Sequence, residues 1–198
     1  ETGGHITQNL DLDYRKQICS HHSATHLLHE ALRQKLGNHV AQKGSLVTDK
    51  KLRFDFSHFK PIEENKLQDI EDEVNNRILS NDDVSTKIMT QSKAIENGAI
   101  ALFGEKYGDQ VRVVSMGKSI DSNRNAWSVE LCGGTHVKNT SEISTFKIIS
   151  ETGVSSGVRR IEAITNTAAL KFYNSELNKI KTISIFLRTE SSQVLKKI

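Results

Sequence analysis

From Asp13 to Leu36 the apolar residues Ile18, Ala24, Leu27, Leu28, Ala31, Leu32 and Leu36 fall mostly three or four positions apart, and the pattern stops at Gly37. Only a helix of about 3.6 residues per turn gathers such positions on one side. The spacing predicts one long helix over residues 13–36. Asp11 or Asp13 is placed to accept bonds from its first free N–H groups, and Gly37 to close it in a left-handed cap. A helix of this length near the start of a 198-residue chain needs other elements to cover its apolar face, and the sequence after it changes period.

Residues 39–47 and 52–57 read as strands joined by a turn at 48–51. In the second, Leu52, Phe54 and Phe56 alternate with Arg53, Asp55 and Ser57, the pattern of a half-buried strand with one wet face. Pro61, the only proline, suits the first turn of a second helix reaching Leu79. The stripe of that helix is Leu67, Ile70, Val74 and Ile78. Val84, Thr86 and Ile88 predict a strand, and residues 93–97 a short helix capped by Ser92. Residues 110–116 and 126–131 read as strands, and 143–151 with 157–165 as a hairpin around a loop at Gly153–Gly157. A last helix starts near Thr167, with Leu170, Tyr173, Leu177 and Ile180 at the spacing of a coiled-coil seam or docking helix. It runs towards Ile198 as if the chain had been cut there. Helices mixed with adjacent strands imply an α+β fold with a mainly antiparallel sheet.

Composition excludes several classes. No run of about 18 apolar residues spans a membrane. The start at Glu1 shows neither a basic flank with an apolar stretch nor an initiating Met, so no secretory signal is read and the chain is taken as a fragment or processed product. Two cysteines, Cys19 and Cys132, are too few for a disulfide scaffold and suggest an intracellular protein. A net charge of +3 permits a nucleic-acid partner without demanding one.

The chemistry lies in the histidines. His22 and His26 stand one helical turn apart on the first helix, so two imidazoles share a face. Eight histidines in the chain produce roughly 0.3 such pairs by chance, and a pair of solvated or hydrogen-bonded histidines is the equal alternative. The second half is Cys132-Gly133-Gly134-Thr135-His136, where two glycines let the backbone turn tightly and Cys132 and His136 face one centre. Together the four make an N₃S set that suits tetrahedral zinc. Cys19 and His29 near the same helical face are competitors. Ser23 occupies the position where a zinc protease carries its Glu base, so that reading is rejected. Deaminase spacing, a phosphate loop and a dinucleotide fingerprint are all missing.

Six blocks then carry a resemblance. His22-Ser-Ala-Thr-His-Leu-Leu-His29, Gln42-Lys-Gly-Ser-Leu-Val47, Leu52-Arg-Phe-Asp-Phe-Ser-His58, Ala101-Leu-Phe-Gly-Glu-Lys-Tyr-Gly108, Cys132-Gly-Gly-Thr-His-Val137 and Gly157-Val-Arg-Arg-Ile-Glu-Ala163 resemble the editing domain of alanyl-tRNA synthetases, in family order and over nearly the whole chain. His21 stands where the family usually has Asn. The resemblance implies an AlaX-like fold of the threonyl–alanyl synthetase second additional domain superfamily. It implies an editing domain over 1–166 and a helical segment over 167–198 leading towards a coiled coil.

It further implies an aminoacyl-tRNA ester hydrolase. The substrate would be alanine tRNA mischarged with serine or glycine. Zinc would be held by His22, His26, Cys132 and His136, activating water or anchoring the substrate. Thr25 and Gln42 are the candidate contacts to the serine or the water. Their alternatives are a helix hydroxyl bonding back to a carbonyl and a solvated strand side chain. Arg159, Arg160 and Lys43 are the candidate tRNA contacts, with exposed ion pairs and solvated faces as the alternatives. The parent enzyme would be cytoplasmic, with no membrane partner. It would act with the rest of the synthetase chain in cis, and ATP and Mg²⁺ belong to its aminoacylation domain, none of whose sequence is seen here. A free-standing trans-editing protein and a non-catalytic zinc-stabilised tRNA-binding module are the alternative readings.

Overall fold

The computed structural model describes residues 3–101, 107–118 and 126–198. Most of the Ala101–Gly108 block therefore lies outside the described residues. The helix α1 (Leu12–Leu36) begins where Asp11 Oδ1 accepts the Tyr14 N–H at 2.9 Å. It ends at Gly37, whose N–H bonds the Arg33 carbonyl at 2.9 Å. Gly37 takes φ +117° and ψ 169°, an extended conformation open to glycine rather than the left-handed helical one expected.

Next come β1 (Gln42–Val47), β2 (Leu52–Ser57), α2 (Glu64–Leu79), β3 (Val84–Thr90), α3 (Gln91–Glu96), β4 (Gln110–Met116) and β5 (Ser128–Leu131). They are followed by β6 (Phe146–Ser155), β7 (Val158–Thr165), α4 (Asn166–Phe186) and a final turn, α5 (Val194–Lys197). Strands β1-β2-β7-β6 form one antiparallel sheet and β3-β4-β5 a second. The fold is α+β, with helices packed on antiparallel sheets as expected.

Several boundaries differ for physical reasons. Val40 turns back to bond the Gly37 carbonyl, so β1 starts at Gln42 rather than at His39. Ile62 is buried in the core and draws Pro61–Glu63 out of the helical path, so α2 begins at Glu64. Thr90, not Ser92, caps α3 by accepting the Lys93 N–H. The β6–β7 hairpin runs on through Gly153. Its turn is only Ser156–Gly157, with Gly157 at φ +72°. The last helix does not continue to Ile198. It stops at Phe186, Arg188 turns with φ +48°, and Val194 folds back to a buried position. Leu170, Tyr173, Leu177 and Ile180 remain exposed along α4.

The core forms where α1 is surrounded. Leu27, Leu28, Ala31 and Leu32 meet Leu52, Phe54 and Phe56 of β2, Ile161 and Ala163 of β7, and Ile70, Val74 and Ile78 of α2. Each such burial is worth about 1.5–3 kcal/mol. In β4 the alternation serves two cores. Val114 and Met116 join this cluster, while Val111 and Val113 join a smaller one with Ala94, Val129 and Leu131. The expected wet face of β2 is half covered: Asp55 is buried beneath Arg160, with both carboxylate oxygens engaged at 2.7 and 2.8 Å. Phe54→Ala is expected to cost about 3–5 kcal/mol, read as a lower midpoint in denaturant. The ring is fully buried and also flanks His29, with centroids 5.2 Å apart.

Because α1 sits between layers, its polar residues are buried too, and each needs a partner. His21 is fully buried. Its Nε2 accepts the Thr165 N–H at 3.2 Å, so its Nδ1 carries the proton and donates to the Thr48 carbonyl at 2.9 Å. Burial holds its pKa below the ordinary value. The residue at which the sequence departs from the resemblance thus ties α1 to the ends of β1 and β7. Among the described residues, no helix is long and apolar enough to cross a membrane.

Candidate metal centre

The same burial turns the other histidines of α1 towards β5 and the loop after it. His22 and His26 project from consecutive turns, Cys132 leaves the end of β5, and His136 returns after the Gly133–Gly134 bend. One ligand atom from each of these four lies within 4.8 Å of all the others. Cys132 Sγ is 3.4 Å from His22 Nε2 and 3.3 Å from His136 Nε2. A tetrahedron with ordinary zinc–sulfur and zinc–nitrogen bonds has sulfur–nitrogen edges of about 3.5 Å, so the spacing fits. His26 Nε2 is buried and, among the described residues, has no hydrogen-bond partner. A buried nitrogen without a proton acceptor or donor is costly, and a metal ion at the centre of the four would satisfy it.

The electrostatics favour the ligating states of Cys132 and His136, whereas burial at His26 is outweighed by the charges of Glu130 and Cys132 and the hydrogen bond to Glu130, which raise its pKa to about 10 in the metal-free chain. Burial works against a thiolate at Cys132, but hydrogen bonds from His136 and His22, with the charge of nearby His26, hold its thiol down to about 3. Burial, with the charges of His26 and His22, holds His136 down to about 4. A thiolate and a neutral imidazole are the forms that bind zinc.

Other side chains hold these four residues. Ser23 Oγ accepts the Val137 N–H at 3.1 Å and bonds His136 Nδ1 at 3.1 Å. Arg112 Nη1 donates to the carbonyls of Cys132 at 2.7 Å and Gly134 at 2.8 Å, while the Gly134 N–H points at Cys132 Sγ at 3.4 Å. His26 Nδ1 is 2.7 Å from Glu130 Oε2, and His29 Nδ1 is 2.9 Å from Glu130 Oε1. Burial works to raise the Glu130 pKa, but the charge and hydrogen bonds of the two histidines hold it below the usual carboxylate range.

Sequence reasoning had used Ser23 only to reject a protease, and it missed Glu130 and Arg112. Their signal was a charge inside an otherwise apolar strand, Glu130 between Val129 and Leu131 and Arg112 between Val111 and Val113. His29 binds Glu130 and stands outside the cluster, as does Cys19, which packs against the core.

The remaining candidates do not converge with the four ligands in the same way. Thr25 is buried and its Oγ1 donates to the His21 carbonyl at 2.9 Å, the back-bonded arrangement. Gln42 opens β1 opposite Phe56, half-buried, and Lys43 is exposed beside it. Arg159 and Arg160 lie on β7 and are both engaged in ion pairs, Arg159 with Glu151 and Arg160 with Asp55.

A family model of the threonyl and alanyl tRNA synthetase second additional domain matches residues 111–162. This stretch contains Arg112, Glu130, Cys132 and His136 but not the two histidines of α1. An alanine–tRNA ligase of Rhizorhabdus wittichii is 53% identical over 194 residues, which is 98% of this chain. The chain spans 22% of the length of that relative.

Proposed function

Taking as premise that the chain belongs to the alanyl-tRNA synthetase family, we propose that it is the editing domain, hydrolysing the ester of alanine tRNA mischarged with serine and, as a second substrate, glycine. The observation that carries this reading is the convergence of His22, His26, Cys132 and His136 in a chain so similar to an alanine–tRNA ligase.

Editing answers a physical limit. Serine adds one hydroxyl to alanine, and a small apolar pocket rejects such an isostere only weakly. A second site with polar groups can bind the hydroxyl and leave alanine disfavoured. Zinc held by the four ligands would supply Lewis acidity, or an anchor for the amino or ribose groups of the substrate.

The other roles fall to the chain's own residues. The lone pairs of Thr25 Oγ1 and the amide of Gln42 are the proposed contacts to the serine hydroxyl or the attacking water. Lys43, Arg159 and Arg160 are the proposed contacts to the tRNA, the two arginines needing to share or leave their carboxylates. The editing unit covers residues 1–166 and acts in cis with the rest of a cytoplasmic synthetase, where ATP and Mg²⁺ serve aminoacylation.

The test is deacylation of seryl-tRNA(Ala) against alanyl-tRNA(Ala), with and without a chelator. The expected result is hydrolysis of the seryl ester well above that of the alanyl ester, falling to background when the metal is stripped. Tight tRNA binding without hydrolysis of either ester would instead select the zinc-stabilised binding module.

A further inference from the structure

We propose that Glu130, backed by His29, is a positioning residue that orients His26 for the metal; the inference rests on the metal-centre reading. A neutral imidazole ligates through the nitrogen that carries no proton, and a partner on the other nitrogen fixes which one that is. A carboxylate on Nδ1 commits it, placing the proton there and the lone pair on Nε2. Glu130 supplies that carboxylate at 2.7 Å from His26 Nδ1, and it is 2% exposed.

Its second oxygen takes the proton on His29 Nδ1 at 2.9 Å, so the carboxylate is gripped at both ends and cannot rotate away. His26 and His29 are three residues apart on α1 and therefore on one face, which lets a single carboxylate from β5 span both. His29 is 1% exposed and lies against Phe54. Its Nε2 is buried without a hydrogen-bond partner among the described residues, so Glu130 is its one polar tie there.

Charge points the same way. An isolated buried carboxylate costs several kcal/mol, and among the described residues no Lys or Arg forms an ion pair with Glu130. A dication held by one thiolate and neutral imidazoles would keep a net positive charge, which Glu130 behind His26 would balance.

The experiment uses zinc as the probe. Affinity is measured by competition with a chromophoric chelator, and stoichiometry by elemental analysis. Glu130→Gln keeps the shape and removes the charge. It is expected to weaken zinc binding by about 10–100-fold while one zinc per chain still binds at saturation. His29→Leu is expected to weaken it less, because Glu130 keeps its bond to His26. In the ¹⁵N spectrum of the unsubstituted protein, His26 Nδ1 should carry a proton with and without zinc.

Affinity within twofold of the unsubstituted protein in a folded Glu130→Gln variant overturns the proposal, as does a bare His26 Nδ1. If that variant does not fold, the spectrum alone decides. An unsubstituted protein that binds no zinc at all would instead remove the metal-centre reading.

Discussion

Replacing His26 with alanine is expected to abolish tight zinc binding and seryl-ester hydrolysis together. Four-ligand structural zinc sites release about 10–16 kcal/mol on binding, so one ligand accounts for roughly 3–4 kcal/mol, or two to three orders of magnitude in affinity. His26 is the most costly of the four to lose, because it is both the buried ligand with the orphaned Nε2 and a partner of Glu130. Its removal leaves the Glu130 carboxylate buried with His29 alone, a fault worth about 3–5 kcal/mol of stability. The measurements are zinc titration, deacylation and a denaturant melt of the metal-free protein. Zinc retained at the original affinity would remove His26 from the ligand set and with it the proposed centre.

Gly134→Ala is expected to separate metal binding from folding. A Cβ at this position would stand 2.2 Å from His22 Cε1 and 2.7 Å from His22 Nδ1, too close for real atoms. Gly134 is not among the positive-φ residues, so its backbone accepts alanine and the objection is one of space. Without metal, the imidazole of His22 can swing aside, and stability should fall by about 1 kcal/mol or less. With metal, the ring must stay where the new methyl stands. Either His22 leaves the ion or the loop holding Cys132 and His136 shifts. The expected loss is about two orders of magnitude in zinc affinity, with deacylation falling alongside. Melts of the zinc-loaded and metal-free forms decide it: an equal drop in both would show that Gly134 serves the fold and not the site.

The elements set by nearby residues were legible before any coordinates. The strands β2 and β4 ran over the residues expected, because alternation is a local signal, and α1 began at its Asp11 cap. Misreadings arose where a distant contact overrode local preference. Ile62 entered the core and delayed α2 past Pro61. The hairpin strand continued through Gly153, where Arg159 crosses to reach Glu151.

The candidate site divides in the same way. The four candidate ligand types and their two short spacings were readable from the residues alone, since residues four apart on a helix share a face whatever surrounds them. Packing of the whole chain brought the two halves, separated by more than a hundred residues, within 4.8 Å of each other. It also decided that Glu130 and Ser23 sit behind His26 and His136 while Arg112 grips the loop. Sheet register and the burial of α1 between layers set those neighbours. They are properties of the packed chain, and no window of sequence contains them.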